Sequence, residues 1–156
     1  MSGINSSDTF HDMSALASAG WKASLGALVR IESQDWSLYL EKLQKDPPPL
    51  FRMGYCAVYP DAANFLYDGF HSGSEYNLTR WSNPAFDRLV EQASRENDVT
   101  RRRLIYQDAE KLLIEDQAVI IPILWTTRVS LTNPYIQRTF SLLEGYDHVE
   151  RWKVNR

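Results

Sequence analysis

Stretches with a helical spacing of apolar residues alternate along this chain with short, nearly continuous apolar runs. Helices that alternate with apolar strands are typical of α/β proteins, in which amphipathic helices pack on a sheet. The predicted class is therefore α/β with a mixed sheet. Strands are expected at residues 28–33, 50–58, 118–125, 128–131 and 149–154, and helices near residues 7–24, 35–46, 62–70, 83–95 and 98–113.

Several helix ends carry specific signals. Asn83 followed by Pro84 predicts an N-cap with proline at the first helical position. Asp98 predicts a second N-cap, and Gly26 a helix end. The three prolines at 47–49 must stop the preceding helix, because proline lacks the amide donor.

Composition narrows the function classes. The formal charge of −3 argues against nucleic-acid binding, which needs a basic surface. The arginines at 101–103 are interpreted as a solvated helix face. A single cysteine permits no internal disulfide, and residues 1–10 do not resemble a signal peptide.

The sequence offers few candidates for catalysis. None of the three histidines stands at a metal-ligand spacing, so no metal or cofactor is expected. A Cys56–His71 dyad is conceivable, although a cysteine in an apolar run is more often a buried hydrophobe. Asp61 and Asp68 form a weak carboxylate-pair candidate, and Asp61 more simply starts a turn or caps a helix. Residues 77–79 match a glycosylation sequon.

Arg52 lies inside an apolar run, where a charge is costly unless it has a partner. One interpretation is a structural ion pair with an acidic neighbour. The other is a guanidinium that faces a cleft and receives the carboxylate of a ligand. The residues alone leave both open.

Four blocks resemble one protein family. They are residues 50–66 (LFRMGYCAVYPDAANFL), 77–90 (NLTRWSNPAFDRLV), 118–140 and the final DHVERWKV from Asp147. In order and spacing they are similar to the bacterial extracellular solute-binding proteins of family 5, which deliver oligopeptides and dipeptides to ABC importers. The resemblance implies a type II, two-lobed periplasmic-binding-protein fold that closes on its ligand.

The resemblance also implies the organisation and location of the protein. Residues 1–140 would be part of the second, C-terminal lobe, and residues 141–156 would return toward the first lobe. The chain would be one part of a longer protein with a signal peptide upstream, located in the periplasm or on the extracytoplasmic surface. Its partners would be a peptide or other small solute and an ABC permease, with no cofactor and no enzymatic activity. The alternatives are a hydrolase that uses Cys56 or a carboxylate pair, and an interaction domain without a transport role.

The resemblance assigns a ligand site to the run at 50–58, which borders the peptide cleft in this family. Arg52 would receive the ligand carboxylate, and Tyr55 would form an aromatic wall at a position that is usually tryptophan. Cys56 and Ala57 would offer backbone contacts to an extended peptide.

Val58 departs from the family pattern, because peptide-binding members usually carry an aspartate there that holds the ligand α-amino group. A desolvated ammonium without that partner would lose about 2–5 kcal/mol. Either the ligand lacks a free amine, or Asp61 substitutes from the next turn.

Overall fold

The computed structural model describes residues 6–125, 131–139 and 149–155. The chain divides into two compact units, Met1–Lys45 and Asp46–Arg156. In the described residues, no helix combines the length and apolar character needed to cross a bilayer. The helices are α1 (Ser6–Leu25), α2 (Trp36–Lys45), α3 (Ala63–Phe70), α4 (Pro84–Arg95) and α5 (Val99–Lys111).

The first unit holds α1 and α2, and both helices agree with the sequence prediction. Gly26 follows α1 with a φ of 67°, a conformation that glycine adopts without steric cost. At the start of α2, Asp35 accepts a hydrogen bond from the Ser37 amide at 3.0 Å. Hydrogen bonds from Ser37 lower the pKa of the Asp35 carboxyl. Leu43 is the buried residue of α2.

The second unit is built on α3, α4 and α5. After α5 the chain continues into one turn of π-helix, Leu112–Asp116, and Ala118 then has a φ of 47°. The Phe86 ring is fully buried and meets the Trp81 ring edge-on, with 5.0 Å between centroids. The other buried members of this core are Leu66, Val90, Ala93, Tyr106, Ala109 and Leu113.

The predicted N-caps of α4 and α5 are confirmed. The Asn83 side chain accepts hydrogen bonds from the amides of Ala85 at 2.9 Å and Phe86 at 3.4 Å. The Asp98 carboxylate accepts one from the Arg101 amide at 2.8 Å. These caps satisfy amides that have no partner within their own helix.

Three of the five individual strands predicted from the sequence are not formed. Residues 28–33, 50–57 and 118–125 have no regular secondary structure. Within the described residues, the strands are β1 (Ile136–Gln137) and β2 (Lys153–Val154), which pair antiparallel. A strand requires a neighbour that accepts its backbone hydrogen bonds, and apolar character alone does not supply one.

The end of the chain only partly follows its prediction. The strand expected at 149–154 begins as a 3₁₀ turn, Val149–Arg151, and only its last part is β2. The strand expected at 128–131 falls largely outside the described residues.

The loop between α3 and α4 is organised around the buried side chain of Asn77. Its amide nitrogen donates to the carbonyls of Trp81 at 2.9 Å, Phe70 at 3.3 Å and His71 at 3.4 Å. The Thr79 hydroxyl donates to the Asn77 side-chain oxygen at 2.7 Å. The sequon at 77–79 therefore serves loop structure, because a glycan acceptor must be exposed.

Candidate ligand-binding site

The run at 50–58 lies largely at the surface of the second unit. Val58 is 64% exposed, Tyr55 is 42% exposed and Cys56 is also exposed. Arg52 and Ala57 are half-buried. The segment is therefore accessible to a ligand or to another part of a longer protein, and it is not part of a sealed apolar interior.

A polar network holds the end of this segment against α3. The buried Asn64 side chain accepts a hydrogen bond from the Val58 amide at 2.6 Å and donates to the Asp68 carboxylate at 2.8 Å. The Tyr59 hydroxyl donates to the same carboxylate oxygen at 2.9 Å. Burial and this bond to Asp68 raise the pKa of Tyr59 to about 12. The network fixes the position of Val58 relative to α3.

Asp61 is engaged on both carboxylate oxygens. Oδ1 accepts a hydrogen bond from the Ala63 amide, two residues later, at 2.9 Å, which is the turn predicted at this position. Oδ2 forms an ion pair with Arg102 Nη2 at 2.9 Å, and both side chains are partly buried. Asp61 thus joins α3 to α5. Arg102 departs from the solvated face predicted for residues 101–103, because it pairs with this carboxylate.

Three aromatic rings form a row beside the segment. The centroids of Tyr55 and Phe65 are 5.6 Å apart, and those of Phe65 and Trp125 are 6.0 Å apart with the rings nearly perpendicular. Burial and, secondarily, the charge of Asp68 raise the pKa of the Tyr55 hydroxyl. The row brings residues 50–58 and 118–125 together on one side of α3, although the sequence pointed only to Tyr55.

The His71 side chain of the candidate Cys56–His71 dyad makes other contacts. His71 Nδ1 accepts a hydrogen bond from the Gly73 amide at 3.0 Å, and Nε2 lies 3.3 Å from Glu91 Oε1. The His71 ring also stacks on Tyr67, with 4.5 Å between centroids. One ring nitrogen has a partner in the loop and the other has a partner on α4, so His71 is not placed to serve as the base for the Cys56 thiol. Among the described residues, no group of three or more His, Cys, Asp or Glu side chains could hold a metal ion.

Comparison with known proteins gives clear relatives, although no family model matches the chain. The probable deoxycholate-binding periplasmic protein YgiS of Escherichia coli (strain K12) is 37% identical over 127 residues, which are 81% of this chain and 23% of that protein. The periplasmic murein peptide-binding protein MppA of the same strain is 33% identical over 135 residues, 85% of this chain and 24% of that protein. This chain is a homologue of the periplasmic peptide-binding proteins.

A solved structure extends the relationship to the fold. The structure of Escherichia coli MppA matches with a TM-score of 0.72 and 33% identity, over 81% of this chain and 25% of that chain. MppA has a two-lobed, type II periplasmic-binding-protein fold. The resemblance and the fold class predicted from the sequence are thus confirmed, with helices and a small sheet as the part represented in this chain. The chain spans about a quarter of the length of the curated relatives that it matches.

Proposed function

We propose that this chain is part of the solute-binding component of an ABC importer. In this proposal the run at 50–58 forms one wall of the ligand cleft. The homology carries this proposal, since the relatives include oligopeptide-binding and murein peptide-binding proteins. The exposed position of Tyr55, Cys56 and Val58 supports a role of this segment in ligand contact. The relatives are periplasmic, which supports a periplasmic location for this protein.

In this proposal the wall consists of Arg52, Tyr55, Cys56, Ala57 and Val58. Arg52 receives an anionic group of the solute, because a guanidinium fits a carboxylate with two parallel hydrogen bonds. The protein is not an enzyme in this account. The homologues are binding proteins, the ring nitrogens of the histidine predicted for a dyad are occupied, and the candidate carboxylates hold partners within the chain.

The preferred solute lacks a free amine at this wall. Val58 offers no charge to an ammonium, and both oxygens of Asp61 are taken by the Ala63 amide and by Arg102. This pairing weighs against Asp61 as the substitute anion. One relative is named for probable binding of deoxycholate, a carboxylic acid without an amine, which supports the same interpretation.

Isothermal titration of the full-length protein tests the proposal with trialanine, N-acetyl-trialanine and deoxycholate. N-acetyl-trialanine or deoxycholate, which have no free amine, should bind at least about tenfold more tightly than unmodified trialanine. The reason is that an ammonium without its ion pair loses more than about 1.4 kcal/mol, the free energy that corresponds to a tenfold change in affinity. Replacing Arg52 with glutamine should weaken that binding by about tenfold.

The Arg95→Gln variant is the matched control, because Arg95 lies in the last turn of α4, outside the proposed wall, and its side chain is 79% exposed. Its affinity should stay at the wild-type value. Tight binding of unmodified trialanine that acetylation abolishes would contradict the amine-free solute. Absence of binding across a broad panel of peptides and organic acids would contradict the function itself.

A further inference from the structure

The aromatic row continues the proposed ligand wall onto two further elements. Tyr55 belongs to the wall, Phe65 lies on α3, and Trp125 ends the described part of the 118–125 segment. Trp125 is 83% exposed although its ring contacts Phe65. A large ring held in place by a neighbour and left open to solvent offers apolar area for another molecule to cover.

The carboxylates on α3 and just before it already have partners within the chain. Asp68, the carboxylate that influences the Tyr55 hydroxyl, is bound by Asn64 and Tyr59. Asp61, two residues before the same helix begins, is paired with Arg102. The three rings carry no charge, and Tyr55 and Trp125 expose their apolar area, so an uncharged apolar group complements the row.

We propose that Phe65 and Trp125 act with Tyr55 as an aromatic platform that receives an uncharged apolar or aromatic group of the solute. This inference rests on the proposed function and adds two specificity-determining residues to the wall. Ring faces and edges contact apolar groups over a large area, and ligand sites are typically lined by such side chains with a few polar groups for orientation. The platform selects the apolar part of the solute, and Arg52 orients its anionic part.

The test compares N-acetyl-Ala-Phe-Ala with N-acetyl-Ala-Ala-Ala by isothermal titration of the full-length protein. The wild type should prefer the phenylalanine peptide by about tenfold, on the scale of aromatic contacts and buried ring area. Replacing Trp125 with alanine should reduce this preference to about twofold or less. Replacing Trp36 is the matched control, because this tryptophan is 57% exposed and lies in the other unit.

The possible results distinguish a failure of the aromatic platform from a failure of the proposed solute binding. Equal binding of the two peptides by the wild type would overturn the platform and leave solute binding intact. A Trp125→Ala variant with a lower Tm and an unchanged preference would also overturn it, because another part of the longer protein would then cover the row. If neither peptide binds but another solute does, the platform is wrong and the function stands. If no solute binds, both are wrong.

Discussion

Replacing Phe86 with alanine is expected to lower the free energy of unfolding by about 3–5 kcal/mol. The ring is fully buried at the centre of the core between α3, α4 and α5, and it packs edge-on against Trp81. Truncation removes buried apolar area and leaves a cavity that the three helices can fill only in part. Chemical denaturation followed by circular dichroism measures the change.

Leu104→Ala is the control for this prediction. Leu104 lies on α5 and is 56% exposed, so its truncation should change the free energy of unfolding by about 0.5 kcal/mol or less. Similar losses for the Phe86 and Leu104 variants would show that the three-helix core does not determine the stability of this unit.

Replacing Asn77 with alanine should lower the free energy of unfolding by about 2–3 kcal/mol. The substitution removes the donor shared by the carbonyls of Trp81, Phe70 and His71, and also the acceptor of the Thr79 hydroxyl. Groups left without a partner away from water carry a desolvation penalty, which exceeds the net value of the hydrogen bonds themselves. The same denaturation experiment gives this value.

Asn97 supplies the matched control, since it is an exposed asparagine just before the Asp98 cap. Its replacement by alanine should change stability by about 0.5 kcal/mol or less. If the Asn77 variant is as stable as the Asn97 variant, the α3–α4 loop does not depend on this buried amide.

Local signals explain which parts of the fold could be predicted from the sequence. The starts of α4 and α5 follow from Asn83 and Asp98, because each cap binds amides two or three residues away. The strands expected at 50–58 and 118–125 depend instead on a partner strand, which can be distant in the sequence. The residue pattern of a segment shows that the segment is apolar, but it does not show whether a neighbouring strand is present.

In the candidate site, too, local features could be predicted from the sequence, whereas contacts between distant residues could not. That Asp61 would start a turn or cap a helix could be inferred from Pro60 and the helical pattern that follows. Its partner Arg102 lies 41 positions later in the sequence (102 minus 61), so no local pattern indicates the pair. The contact of Phe65 with Trp125 joins residues that are even farther apart in the sequence. Tyr55 and Arg52 were assigned from the family resemblance, and their contact with a ligand stays a prediction.

Hydrogen–deuterium exchange of the full-length protein, with and without saturating solute, tests most directly whether residues 52–58 form a ligand wall. Solute should slow amide exchange across 52–58 by about tenfold or more, because closure on a ligand suppresses local opening. Exchange at residues 72–76, in the loop after α3, should not change. If saturating solute leaves exchange at 52–58 at the rate of the free protein, the wall is not where the solute binds.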